Sequence, residues 1–145
     1  MEVWIVLVVG MPALSGQPVT IIGKGQRKHS FISAIDVAKF MIASINNLEA
    51  INQKLVIGGP EALSLRDASA IFEQKLNHSI PIRSVAPGQS VPSLPESMTG
   101  FTCVFLDFFD SPIDMKEITN SFGINLTSMT NFAETSSKTA RNNLQ

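Results

Sequence analysis

Three short apolar segments decide the fold of this chain: Pro18-Val-Thr-Ile-Ile-Gly-Lys-Gly25, His29-Ser-Phe-Ile-Ser-Ala-Ile-Asp-Val-Ala38 and Lys54-Leu-Val-Ile-Gly-Gly-Pro-Glu-Ala-Leu-Ser64. Each begins as an apolar, β-branched run and continues into a turn or a helical pattern, which is typical of strands that alternate with helices in α/β folds. The sequence therefore predicts strands at 19–22, 29–35 and 54–57, and a fourth at 80–85.

Two helices are predicted from apolar residues at helical spacing. The first is expected to start with Asp36 as its N-cap and to bury a single stripe, formed by Val37, Phe40, Met41, Ser44, Ile45 and Leu48. The second follows Ser64 and Asp67, which approximate a capping box, and ends near Asn77, a residue that tolerates the left-handed conformation.

The remaining elements are shorter. Residues 3–9 are apolar and fit either a buried strand or a buried helical turn, since periodicity does not separate the two in so short a run. Asp114 is expected to cap a short helix that ends at Gly123, and Thr127 to start a last turn or two. From Glu134 onward the polar sequence predicts a frayed tail.

Composition limits the classes of function. A chain of 145 residues with 44% hydrophobic residues supports one domain with a core. The net charge of −1 argues against nucleic acid and anionic membranes as partners, because both require a basic patch. Residues 3–9 are too short to span a bilayer. The single cysteine, Cys103, excludes an intrachain disulfide and suits a reducing compartment, so a cytoplasmic location is expected.

The sequence lacks the motifs that dinucleotide-binding enzymes and metal sites use. Neither the Gly10/Gly16 pair nor the Gly23/Gly25 pair completes the Gly-x-Gly-x-x-Gly loop that binds a dinucleotide, and the chain contains no tyrosine to serve as the proton donor of a reductase. The histidines lack further ligands at metal spacing, so no metal site is predicted. We therefore assign no catalytic, cofactor-binding or metal-binding residue.

Two other groups of charged residues have structural explanations. Lys24, Arg27 and Lys28 form the only cationic cluster, which is typical of a solvated turn. Asp107, Asp110 and Asp114 lie close together in sequence, but helix capping and a solvated turn explain them without calcium or acid–base chemistry.

Two motifs carry a resemblance to a known family: Phe31 to Phe40, with Ser33 and Asp36-Val37-Ala38, and Gly58-Gly59-Pro60-Glu61 leading to Leu63-Ser64. They resemble the C-terminal portion of NmrA-like proteins, atypical members of the short-chain dehydrogenase/reductase superfamily, over residues 18–132. The resemblance implies an α/β fold with a partial Rossmann-like sheet of late strand–helix units and a small C-terminal α+β substrate subdomain. Residues 1–135 would form this half, with the N-terminal nucleotide-binding half absent, and residues 136–145 would be a disordered tail.

The resemblance also implies a function. NmrA-like proteins bind NAD(P) as reductases or as redox sensors, so this chain would be their substrate-side fragment, inactive alone, with NAD(P) implied for a full-length relative. The alternative is a non-enzymatic interaction or ligand-binding module. Expected partners are a small molecule and either a complementing N-terminal half or a second copy.

The family arrangement predicts which residues face the substrate. These pocket residues are His29, Phe31, Met98, Phe101 and Phe105. By itself, however, the position of His29 favours a solvent-facing strand end over the mouth of a pocket.

Overall fold

The structure, a computed structural model, describes residues 6–45, 47–91 and 105–142. The chain starts with a π-helical turn at Val6–Gly10 that runs into α1 (Met11–Leu14). The described part of the apolar N-terminal segment is therefore helical, and Val8 and Val9 are fully buried. Pro12 is accommodated because it lies in the first turn, where a backbone N–H has no partner in the helix.

Two parallel strands form the sheet. β1 (Val19–Ile22) pairs with β2 (Ile82–Val85), with Val19 opposite Ile82 and Ile22 opposite Val85. β1 is buried along its whole length, whereas β2 is exposed at 82–84. Parallel strands need a long crossover connection, and residues 23–81 supply it with two helices. The sequence-based strand at 19–22 is confirmed, and the one at 80–85 is confirmed from Ile82 onward.

The other two predicted strands do not form. His29 makes only isolated bridges, antiparallel to Leu63 and parallel to Ser111, and a helix begins five residues later. Residues 54–57 are in no strand, and within the described residues their backbone makes no hydrogen bond. A strand requires a neighbour, and in the described part of the chain only β1 and β2 form a ladder.

Helix α2 (Ala34–Ser44) is capped by Ser33, whose Oγ accepts from the Asp36 amide at 3.1 Å. The prediction that Asp36 is the N-cap is therefore wrong. Its buried carboxylate instead accepts from Lys39 Nζ at 2.7 Å and from the Thr127 amide and hydroxyl at 2.6 and 3.2 Å. These hydrogen bonds tie the first turn of α2 to a residue far along the chain.

The predicted single buried stripe of α2 is also wrong. Phe40 is buried and Val37 is partly buried, but Met41, Ile45 and Leu48 are exposed. The buried side is built from Asp36 and Phe40 instead, because the hydrogen bonds of Asp36 turn that side inward.

Helix α3 (Leu65–Leu76) confirms its predicted signals. Ser64 and Asp67 form both hydrogen bonds of a capping box, and Asn77 ends the helix at φ 57°. Helix α4 (Lys116–Phe122) ends at Gly123, as predicted, but its N-cap is Met115 rather than the expected Asp114, whose carboxylate accepts from the Lys116 amide at 3.0 Å.

Helix α5 (Met129–Asn142) is longer than the predicted turn or two, and the expected tail is helical through Asn142. It packs on α3, where the rings of Phe72 and Phe132 meet edge to face with centroids 6.3 Å apart. Lys75 adds an ion pair to Glu134 at 3.3 Å. This tertiary packing stabilises a helix that its polar sequence alone does not predict. None of the described helices has the length and apolarity needed to cross a bilayer.

The apolar interior has two parts. The main core lies between the sheet, the N-terminal helical segment, α3 and α5, and the second core lies between α2 and α4. The buried residues of the main core are Val8, Val9, Ala13, Val19, Ile21, Ile22, Phe31, Leu65, Ala68, Phe72, Ile80, Val85, Val91, Leu106, Met129 and Ala133. Those of the second core are Ile32, Phe40, Met115 and Ile124.

We predict that Asp36→Asn lowers the free energy of unfolding by roughly 1.5–3 kcal/mol at pH 7, the range for hydrogen bonds to a charged group. Burial by itself would raise the pKa of Asp36, but the hydrogen bonds from Lys39 and Thr127 outweigh it and lower the pKa. The stabilisation is therefore present above the unfolded pKa of about 3.9 and is lost as pH falls through the lower folded pKa.

Urea unfolding at pH 7 and pH 3 measures this effect. The wild type and Asp36→Asn should differ at pH 7 and approach each other at pH 3, while Asp114→Asn, at an exposed turn, should change little at either pH. Equal stability of the wild type and Asp36→Asn at pH 7 would contradict the prediction.

Candidate functional site

A polar cleft lies where β1 ends. The loop 23–28 that leaves this strand faces residues 105–111 across a volume of about 460 Å³. In open α/β folds, ligands bind at the carboxyl ends of the strands. The lining residues are Lys24, Gln26, Arg27, Asp107, Phe108 and Asp110.

Two carboxylates hold the loop in place. Asp107 Oδ1 accepts from the Lys24 amide at 3.0 Å, and Asp110 Oδ1 accepts from the Lys28 amide at 2.7 Å. The Ser111 amide in turn donates to the Lys28 carbonyl at 2.8 Å. The Lys28 amide and the Arg27 guanidinium lower the pKa of Asp110. Asp110 therefore stays ionised at neutral pH and is a fixed charge rather than a proton donor.

Gly23 is required by the approach of Asp107. It has φ +60°, and a Cβ at this position would lie 2.1 Å from the carboxylate carbon. Any other residue would displace Asp107, so this glycine permits the contact that closes the loop. The sequence signal for it is the Gly23-Lys24-Gly25 turn.

The cations of the cleft differ in their pairing. Arg27 Nη1 lies 2.9 Å from Asp110 Oδ2, and its Nε donates to the Asp107 carbonyl at 3.3 Å. Among the described residues, the Lys24 ammonium makes no ion pair. Beside these cations the ring of Phe108 is 56% exposed. The described lining of the cleft thus offers a cation and an apolar surface to a ligand.

His29 lies behind the cleft and is fully buried, so the expected solvent-facing position is wrong. Its Nδ1 is 2.8 Å from Ser111 Oγ, and its Nε2 makes a long 3.5 Å contact with the Leu106 carbonyl. A carbonyl only accepts, so this contact assigns the proton to Nε2 and makes Nδ1 the acceptor from the Ser111 hydroxyl. Burial lowers the pKa of His29, opposed by the Leu106 carbonyl and the charge of Asp110.

Three predicted pocket residues come together, and two cannot be placed. The His29 ring lies 5.6 Å from Phe31 and 5.1 Å from Phe105, centroid to centroid. Met98 and Phe101 lie outside the described residues. The three rings form a packed wall behind the cleft, and none of them lines it. Their role in a substrate pocket stays a prediction.

The residues that line the cleft do not stand out in the sequence. Lys24 and Arg27 have the pattern of a solvated turn, since a cationic cluster in a loop does not reveal the carboxylates that face it. The available signal was the pairing of this cationic cluster with Asp107 and Asp110, at similar spacing. Within the described residues, no group of three or more His, Cys, Asp or Glu side chains is placed to bind a metal.

Comparison with known proteins identifies solved structures with a similar fold. No family model and no curated protein sequence matches the chain. Solved structures of UDP-glucuronic acid 4-epimerase from Bacillus cereus are similar. The complex with NAD has a TM-score of 0.67 at 16% identity and covers 96% of this chain and 39% of that chain. The complex with UDP-glucuronic acid and NAD has a TM-score of 0.65 at 19% identity, covering 98% and 40%.

The chain therefore spans about two-fifths of the length of these neighbours. The likeness confirms the Rossmann-like α/β class that the sequence predicted. The finer division, with a small C-terminal α+β subdomain, stays a prediction.

We predict that Gly23→Ala is more destabilising than Gly16→Ala. Both glycines have positive φ, +60° and +69°, so alanine is strained at either position. Only at Gly23 does the new methyl group meet Asp107, and such crowding costs about 1–3 kcal/mol. Denaturant unfolding of both variants isolates this difference, and equal losses would show that Asp107 moves aside freely.

We also predict that His29 makes stability depend on pH. Its folded pKa is lowered, so the unfolded state binds more protons between that value and about 6.5, and stability falls as pH decreases through this window. The slope contributed by one such group is at most about 1.4 kcal/mol per pH unit. His29→Gln should flatten the dependence measured by urea unfolding between pH 7.5 and 5. A slope that is the same in the wild type and in His29→Gln would contradict the assignment.

Proposed function

We propose that this chain supplies the substrate-side part of an NAD(P)-binding protein of the short-chain dehydrogenase/reductase superfamily, of the NmrA-like kind, and that it does not hold the nucleotide itself. One observation carries the proposal. Nearly all of the chain superposes on a minor part of a fold that binds NAD in the solved structures.

The loop after β1 is unsuited to a pyrophosphate. A phosphate cradle needs free backbone amides that point at the ligand. Here the Gly23 amide donates to the Val85 carbonyl at 2.8 Å, and the Lys24 amide donates to Asp107. The carboxylate of Asp107 over Gly23 would also repel a phosphate. The nucleotide is therefore assigned to the part of the fold that this chain does not supply.

The polar cleft is the substrate-side feature. Lys24 and Arg27 line the cleft together with Asp107 and Asp110, so its charges balance and it suits a polar group, while the exposed Phe108 ring suits an apolar portion of the same small molecule. The chain is inactive alone in this proposal, because it contains no tyrosine and its buried histidine is sealed from the cleft. A cytoplasmic location is part of the proposal and rests on the single cysteine.

A non-enzymatic interaction module is the second candidate function. It is favoured by the exposed apolar side of α2, where Ile35, Met41, Ile42 and Ile45 are each at least two-thirds exposed. Large exposed apolar patches mark sites of protein interaction. In this reading the cleft has no substrate.

We expect the purified chain, with its fold verified by circular dichroism, to show no saturable binding of NAD⁺ or NADPH in calorimetry. The physical reason is that the backbone amides of Gly23 and Lys24, after β1, already donate to the Val85 carbonyl and to Asp107. An active NAD-dependent dehydrogenase measured alongside supplies the positive control, and saturable binding by this chain would overturn the proposal. Sequencing the DNA upstream of Met1 is an independent check, since an in-frame glycine-rich loop would support it.

A further inference from the structure

Helix α2 is apolar on two sides. One side, with Phe40, packs in the second core. The other, which we call the outer face, consists of Ile35, Ala38, Met41, Ile42 and Ile45. These positions fall within one arc of a helix with 3.6 residues per turn. Its four large side chains are 68%, 67%, 70% and 76% exposed.

No charge interrupts the outer face. The charged residues of α2 are Asp36, which is buried, and Lys39, which pairs with Asp36 at 2.7 Å and donates to the Asn125 carbonyl at 3.3 Å. The ammonium is thereby held on the side toward Asn125. The apolar side of a helix normally packs against another part of the structure, yet the outer face is exposed to solvent.

An open backbone edge follows the outer face in the chain. Val56 is exposed while its neighbour Ile57 packs against the second core, which is the alternation of a strand. The backbone of residues 54–57 makes no hydrogen bond within the described residues. The segment attaches directly after residue 57, where the Gly58 amide donates to Met115 Sδ at 3.1 Å and the Gly59 amide donates to the Ser30 carbonyl at 3.2 Å. Such an edge readily accepts another strand.

From these two features we infer that the outer face of α2 and the edge 54–57 together form the docking surface for an open parallel β-sheet, that of a nucleotide-binding α/β half. The inference rests on the proposed function. In α/β folds, helices pack their apolar sides on a parallel sheet, and the neighbours that bind NAD are about two and a half times as long as the matched part. A second copy pairing through its own α2 would cover the outer face but would leave the edge without hydrogen bonds.

The first experiment uses the chain alone and compares Met41→Glu/Ile45→Glu with Met11→Glu. Met11 is an exposed methionine of another helix, 57% exposed, and so is a matched control. If nothing in the chain covers the outer face, both variants should keep Tm within about 3 °C of the wild type. A hydrophobic dye that binds exposed apolar surface should fluoresce less with Met41→Glu/Ile45→Glu than with the wild type, and Met11→Glu should leave its fluorescence unchanged. A large loss of Tm in the double variant would overturn the inference, because it would mean that the outer face already packs within the chain itself.

The second experiment supplies the sheet. In the Bacillus cereus epimerase, the segment that this chain matches is replaced by the whole of this chain, and methionine oxidation by peroxide is followed by mass spectrometry. We expect Met41 to be oxidised roughly tenfold more slowly in the chimera than in the chain alone, with Met11 unchanged, because oxidation follows exposure. Equal reactivity of the two methionines, or a chimera recovered only as aggregate, would count against the inference.

Two further measurements distinguish the docking surface from the proposed function and from pairing with a second copy. Calorimetry with NAD⁺ on the chimera distinguishes the docking surface from the proposed function. If Met41 is protected in the chimera but NAD⁺ does not bind, the docking surface is supported and the proposed function is contradicted. If NAD⁺ binds but Met41 stays as reactive as in the chain alone, the proposed function is supported and the docking surface is contradicted. Light scattering of the chain alone tests for a second copy. A dimer that the double variant abolishes would overturn the inference, and a monomer would support it.

Discussion

The buried carboxylate of Asp36 determines which way helix α2 presents its two apolar sides. The Thr127 amide and hydroxyl donate to it and hold the first turn of the helix against a residue far along the chain, and Lys39 of the same helix pairs with it. Turning the helix would leave the buried Asp36 carboxylate without these partners, so rotation of the helix is energetically opposed. Phe40 consequently faces inward, and Ile42 and Ile45 face outward. The exposure of the apolar outer face of α2 follows from this one polar anchor.

A second set of carboxylates shapes the polar cleft. Asp107 and Asp110 accept backbone amides of the loop after β1, and these are the groups that a phosphate would need. The same position relative to the strand can therefore serve either nucleotide binding or loop closure, but not both. Since the loop is closed here by the protein's own side chains, its remaining chemistry is that of Lys24, Arg27 and Phe108.

The fold likeness and the lack of sequence matches are compatible. A Rossmann-like arrangement tolerates wide sequence change as long as buried positions stay apolar, and function depends on the site rather than on the fold. The likeness to an epimerase therefore does not carry over its substrate. In α/β folds of this class the apolar sides of helices pack on a parallel sheet, and α2 has two such sides.

The sequence alone determined the elements whose signals are local. The strand β1, the capping box of Ser64 and Asp67, and the left-handed stops at Asn77 and Gly123 depend on residues a few positions apart. Tertiary structure alone decided the burial of His29, the role of Asp36, the length of α5 and the absence of strands at 29–35 and 54–57. Each of these depends on a partner that lies far away in the sequence, or on one that is missing from the described residues. Backbone and side-chain polar groups adopt whichever conformation satisfies them, and local patterns do not encode where a distant partner lies.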